Sequence, residues 1–134
     1  MKKNLVKIEN IFPGPLGKIL VHSDNDQLFL YDLTARKVVN EASSISEVKR
    51  IFWTPQYCHL VVITKTGIHV LNKSLHLINS QRETSKIKSG CFDETNSFVY
   101  STSTHIKYIF LEGKTSGTFR SIDEPVYVSF FMRN

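Results

Sequence analysis

Apolar residues in this chain fall in short runs, each closed by turn-forming residues. Val48–Trp53 (VKRIFW), Ile87–Phe92 (IKSGCF) and Val126–Phe131 (VYVSFF) each begin on an aliphatic residue and end on a large aromatic. Their starts lie 39 residues apart, twice over. Leu60–Thr64 and Phe98–Thr102 start 38 apart, with Lys18–His22 one beat upstream. A third series, Leu28–Tyr31, Ile68–Leu71 and Ile106–Ile109, keeps spacings of 40 and 38. The runs are rich in Val, Ile, Tyr, Phe and Thr. Pro13-Gly14-Pro15, Ser23–Asp26, Pro55, Gly67, Asp93–Asn96, Gly113 and Gly117 bound them. That combination predicts strands, not helices. The predicted strands are 3–8, 9–12, 18–23 and 27–33, then 37–43, 47–53, 59–64 and 67–72, then 75–83, 86–92, 97–103 and 105–111. Two more follow at 115–122 and 125–131. No proline interrupts a predicted strand, and Pro125 opens the last, where a missing N–H is tolerated.

Four strands repeating every 38–40 residues is the arithmetic of a β-propeller blade. A lone four-stranded sheet leaves apolar surface in water, whereas stacked blades cover one another's faces. Inner strands then read as nearly continuous apolar runs, as Leu60–Ile63 and Ile51–Trp53 do. Outer strands turn polar, as Gln81-Arg82-Glu83 and Thr118-Phe119-Arg120 do. The expectation is therefore an all-β chain, a β-propeller fragment of about three four-stranded blades. The blades span approximately 9–43, 47–83 and 86–122, with flanking strands 3–8 and 125–131. Closed propellers use roughly four to eight blades. A three-blade chain reads as part of a longer polypeptide, and its uncovered faces and edges predict self-association when isolated.

Composition refines this reading. With 17 Lys and Arg against 12 Asp and Glu, the 134-residue chain carries a formal charge of +5. The hydrophobic fraction of 41% and charged fraction of 22% are ordinary for a globular domain and exclude a disordered or collagenous chain. No apolar run approaches the roughly 20 residues of a membrane-spanning helix. The start, Met1-Lys2-Lys3-Asn4-Leu5, lacks the apolar stretch of a secretory signal. Cys58 and Cys91 are too few for a disulfide framework and read as buried free thiols of a reducing compartment.

Catalytic and metal-binding chemistry finds little purchase. His22, His59, His69, His76 and His105 show no metal-ligand spacing, although three of them fall on successive strands. They read as structural or surface histidines. Acidic pairs, Asp24/Asp26, Asp93/Glu94 and Asp123/Glu124, occur at turns, where carboxylates cap their own backbone. Asp24-Asn25-Asp26 echoes the start of a calcium loop, but Phe29 and Ala35 stand where glycine and glutamate belong. Nucleophile elbows, phosphate loops and dinucleotide fingerprints are absent from the sequence, so neither an enzyme nor a cofactor is expected. The basic surplus is the remaining candidate. Lys86, Lys88, Lys107, Lys114 and Arg120 cluster in one repeat, with Lys49 and Arg50 in the neighbouring one. They offer a patch for an acidic protein surface, anionic headgroups or nucleic acid. They also suit a duller task, guarding strand edges against aggregation.

Particular motifs add a family resemblance. Val48–Pro55 (VKRIFWTP), Ile87–Glu94 (IKSGCFDE), Phe98–Tyr108 (FVYSTSTHIKY) and Phe119–Tyr127 (FRSIDEPVY) resemble the second WD-repeat propeller of the α subunit of coatomer. The likeness covers nearly the whole chain and is strongest from about residue 48 to 128. It implies a scaffolding segment of the COPI vesicle coat, making protein–protein contacts in Golgi-to-ER retrograde and intra-Golgi transport. Its implied partners are other coatomer subunits, β′ above all, and no nucleic acid. The implied location is cytoplasmic, peripheral on Golgi membranes and COPI vesicles. The charge keeps one alternative open, a basic propeller module that binds nucleic acid or a ribonucleoprotein.

Overall fold

In the computed structural model the described residues are 7–94, 96–112 and, as backbone, 116–121. They form twelve strands and no helix. The strands are β1 (Ile8–Pro13), β2 (Lys18–Ser23), β3 (Leu28–Asp32), β4 (Lys37–Ala42), β5 (Val48–Trp53), β6 (His59–Thr64), β7 (Gly67–Asn72), β8 (Leu77–Arg82), β9 (Ser89–Phe92), β10 (Ser97–Ser101), β11 (His105–Phe110) and β12 (Ser116–Ser121). They pair in three four-stranded sheets of simple meander order, β1-β2-β3-β4, β5-β6-β7-β8 and β9-β10-β11-β12. The described ladders are antiparallel.

Several strands are shorter than predicted, 75–83 becoming Leu77–Arg82 and 86–92 becoming Ser89–Phe92, and the first boundary differs in kind. The sequence reading separates strands 3–8 and 9–12, whereas Ile8 and Asn10 belong to one strand. The pairing of β1 with β2 shifts register between them, so Glu9 is the extra residue of a bulge, not a turn. Residues 3–6 of that first strand, and the flanking strand 125–131, lie outside the described residues. The same kind of bulge recurs in β5, between Val48 and Arg50.

The repeat reappears in the turns. Asp32 Oδ1 accepts the amides of Thr34 and Ala35 at 2.9 and 3.0 Å. Asn72, at the same point of the next repeat, accepts those of Ser74 and His76 at 2.9 and 3.0 Å. Thr54 Oγ1 takes the amides of Cys58 and His59, both at 3.1 Å, and Asp93 Oδ1 takes that of Ser97 at 3.1 Å. These side chains satisfy the donors that a tight hairpin leaves without a ladder partner. The Thr54 turn also corrects a prediction. Cys58 is exposed in it, and Cys91 is half-buried on β9; neither forms a disulfide among the described residues.

The chain divides into two compact units, Met1–Lys65 with Leu71–His76, and Thr66–Val70 with Leu77–Asn134. The first unit holds a continuous apolar cluster of Leu20, Leu28, Leu30, Ile45, Val48, Leu60, Val62, Leu71 and Leu75. Trp53 packs on it, and its Nε1 donates to the Pro13 carbonyl at 2.9 Å. The second unit is built on Phe98, Tyr100, Ile109 and Leu111, all essentially fully buried. The Phe92 and Phe98 rings tilt together 5.3 Å apart, and Phe98 stacks on Tyr100 at 6.0 Å. Burial concentrates on the middle strands: β10 is buried along its length, while β1 and β4 are largely exposed. Each fully buried Leu or Val stabilises by roughly 1.5–3 kcal/mol, so strands such as β6 carry the folding energy and the edges carry little.

Candidate functional site

The predicted basic group does not share one environment. Lys86 is exposed in the connection between β8 and β9, and Lys88 is half-buried just before β9. The Lys88 amide donates to the Ser101 carbonyl at 2.8 Å. Lys107, on β11, directs its ammonium onto Glu83 Oε1 at 2.9 Å. Arg120 sits on β12 opposite Ile106, with its side chain outside the described residues, as is Lys114 altogether. In the other unit Lys49 and Arg50 are exposed on β5, and the Arg50 guanidinium lies over the Phe52 ring, 4.8 Å from its centroid.

Glu83 corrects the reading of Gln81–Glu83 as a polar outer strand end, because it is only 5% exposed. The cause is its place in the repeat. The Ile45 amide donates to the Asp26 carbonyl at 2.9 Å, and the Glu83 amide donates to the Thr66 carbonyl at 3.0 Å. Both residues thus follow the outer strand of a sheet and reach back to that sheet's second hairpin turn. Ile45 fills this position with an aliphatic group, and Glu83 fills it with a carboxylate. A buried carboxylate needs compensation. Lys107 supplies the charge, and Tyr100 Oη donates a hydrogen bond to the same oxygen at 3.0 Å. Burial first, then the neighbouring Glu83 charge and its hydrogen bond, push the Tyr100 phenol far above its usual range. Beside it, Ser89 Oγ and Ser101 Oγ hydrogen-bond at 2.9 Å. A Cβ on Gly90 would stand 2.3 Å from the Phe98 ring, which explains the small residue in the Ile87–Gly90 motif. This cluster braces the second unit around a buried carboxylate.

An open depression of about 410 Å³ lies in the first unit. Glu9 on β1, Asp24 and Asp26 in the β2–β3 turn, and Glu47 before β5 contribute four carboxylates to its lining, and Lys49 contributes one base. His22 also lines it, at 3% exposure. Its Nε2 meets the Ile45 carbonyl at 2.7 Å, and its buried Nδ1 meets no hydrogen-bond partner among the described residues. Because a carbonyl only accepts, Nε2 is the donor of this pair. Among the described residues, no three His, Cys, Asp or Glu side chains converge closely enough to hold a metal ion. The sequence reading took Asp24 and Asp26 as turn carboxylates and His22 as a structural or surface histidine, and singled out neither Glu9 nor Glu47; only the folded chain brings them together.

Four-stranded antiparallel meanders recurring along one chain are the blades of a β-propeller. A solved structure agrees: the Cps50 (Swd1) β-propeller domain of Myceliophteria thermophila superposes with a TM-score of 0.64 at 8% identity, over 86% of this chain and 40% of that one. Within that class the chain belongs to the COPA/B second beta-propeller family, whose model matches residues 2–133. It is 31% identical over 128 residues to coatomer subunit alpha of Dictyostelium discoideum, covering 95% of this chain and 10% of that protein. It is 32% identical over 116 residues to coatomer subunit alpha of Saccharomyces cerevisiae, covering 87% and 9%. The chain therefore spans about a tenth of the length of these relatives.

Proposed function

We propose that this chain is a scaffolding segment of a COPI coat subunit and works by protein–protein contact, without catalysis. The observation that carries the reading is the family match over residues 2–133 together with coatomer α relatives at about 30% identity. Its partners are other coatomer subunits, β′ first. Its location is the cytoplasmic face of Golgi membranes and COPI vesicles, in Golgi-to-ER retrograde and intra-Golgi transport. Two features of the molecule suit a contact role. Sheet edges carry exposed apolar residues, Ile8 and Ile11 on β1 and Val38 and Val39 on β4. The exposed Lys86, with Lys88 nearby in sequence, offers a basic contact for an acidic partner surface. The test is capture from eukaryotic cytosol on the tagged chain at moderate salt. Recovery of coatomer subunits, β′ above all, is expected. Recovery instead of RNA-binding proteins that nuclease treatment removes would overturn the coat reading in favour of a nucleic-acid module.

A further inference from the structure

Three neighbouring turns of the first unit carry exposed apolar side chains. Leu16, in the β1–β2 turn, is 97% exposed, and Leu33 and Tyr57 stand exposed in the β3–β4 and β5–β6 turns. Scattered apolar residues on a surface are ordinary, but these turns are joined. The Leu33 amide donates to the Gly17 carbonyl at 2.9 Å, and Trp53 Nε1 donates to the Pro13 carbonyl at 2.9 Å. The Tyr57 ring lies beside that of the half-buried Trp53, with centroids 5.6 Å apart. Each turn is also fixed from within. The Lys18 amide donates to the Pro15 carbonyl at 2.8 Å, that of Arg36 to Asp32 at 2.7 Å and that of Tyr57 to Thr54 at 2.8 Å. Side chains held on such turns lose little freedom when a partner closes over them. Turns at strand ends also stay open where stacked sheets cover one another's faces. The second observation is charge. Residues 13–18, 32–37 and 53–59, the turns with their adjoining strand ends, hold Lys18, Arg36 and Lys37 against Asp32 alone. Asp32 pairs with both lysines across the ladders, and its Oδ1 is taken by the amides of Thr34 and Ala35. A positive surplus therefore rims the apolar side chains.

We propose that these three turns dock a segment of a protein partner that carries aliphatic or aromatic side chains beside aspartate or glutamate. Its apolar side chains settle on Leu16, Leu33 and Tyr57, and its carboxylates meet Lys18, Arg36 and Lys37. Apolar contact around an aromatic anchor supplies affinity, and opposite charge selects the partner and speeds encounter. Two other surfaces fit less well. Nucleic acid draws its affinity from many phosphate contacts along a track, and three bases around exposed leucines do not make one. A bilayer takes side chains that protrude into its acyl layer. Leu16 alone protrudes in full, whereas Trp53 is half-buried and tied to Pro13. The inference rests on the protein-contact reading above and adds the place and the chemistry of one contact.

Trp53 is the chain's single tryptophan, so its fluorescence reports on this surface. The experiment titrates the 134-residue chain with acetyl-Asp-Leu-Glu-Phe-Asp-amide and follows that emission. A saturable change that weakens with salt is expected. The Leu16→Ser/Leu33→Ser variant should lose affinity about tenfold or more. The Arg36→Glu/Lys37→Glu variant should weaken this peptide and strengthen acetyl-Lys-Leu-Lys-Phe-Lys-amide, a reversal that loss of structure does not produce. All four positions are exposed, so both variants keep the fold, which their thermal midpoints verify. Three results would overturn the inference: no saturable change, affinity unchanged in both variants, or an equal response of the unaltered chain to the basic peptide or to acetyl-Asp-Ser-Glu-Ser-Asp-amide. Saturation by oligouridylate or phosphatidylserine vesicles while the acidic peptide stays inert would overturn it too, in favour of RNA or a membrane surface. Capture from cytosol keeps the two readings apart. Coatomer subunits captured while the peptide fails leave the contact role standing and remove this surface. Peptide binding without coatomer capture leaves this surface standing and removes the coat reading.

Discussion

Glu83 and Ile45 hold the same place in successive repeats, and the difference between them is a buried charge. Glu83 is stable there because one of its oxygens receives both the Lys107 ammonium and the Tyr100 hydroxyl. Removing one partner leaves the other group without compensation in a dry site. Lys107→Met is expected to destabilise the chain by about 3 kcal/mol in denaturant unfolding. Adding Glu83→Gln to that variant keeps the Tyr100 acceptor and discharges the site, so the double variant should be more stable than Lys107→Met alone. Additive losses would show that the two residues do not work as a pair. Tyr100 gives the pH dependence. Its phenol stays protonated in the fold where an unfolded tyrosine ionises, so the folded state binds more protons at alkaline pH. Stability should therefore fall as pH rises beyond about 10, and Tyr100→Phe should flatten that fall in unfolding midpoints.

Among the elements, the middle strands and the turn caps do the most for stability. Leu60 on β6 is fully buried within the apolar cluster of the first unit. Leu60→Ala should cost about 2–5 kcal/mol, whereas Val39→Ala on the exposed β4 should change unfolding little. Thr54 accepts two amides in the β5–β6 turn and is itself buried. Thr54→Val keeps the shape but leaves those donors unmet, and a loss of about 1–2 kcal/mol is expected. Much of this level was legible beforehand. Repeat period and β-branched runs located the strands, because side chains on a buried strand have to be apolar and stiff to pack. The bulge at Glu9 was not legible, because an extra residue in one strand alters pairing without altering composition.

For the whole molecule, the exposed apolar residues on the sheet edges matter most. Ile8, Ile11, Val38 and Val39 lie on β1 and β4, at the two edges of the first sheet, and each is more than 40% exposed. Exposed apolar residues on sheet edges favour association with another chain. The isolated chain is expected to self-associate, with a light-scattering mass that rises with concentration. A strictly monomeric mass across the accessible range would contradict this. Replacing Ile11 and Val39 by Lys should lower the mass, because edge lysines oppose strand addition.

The amino-acid sequence by itself determined the strand period, the all-β class and the family, since each rests on local pattern: apolar runs, turn residues and motifs such as Ile87–Gly90. Tertiary structure alone decided which polar residues act together. Nothing local distinguishes Glu83 from its polar neighbours Gln81 and Arg82, and its burial follows from an amide reaching back to Thr66. Lys107 read as part of a basic patch until the fold set it against that carboxylate. Glu9, His22, Asp24 and Glu47 stand up to 38 positions apart and meet only because antiparallel pairing and the following repeat fold them onto one side of the first unit. Burial and charge pairing depend on distances through space, and one-dimensional spacing records those distances only where a repeat makes them regular.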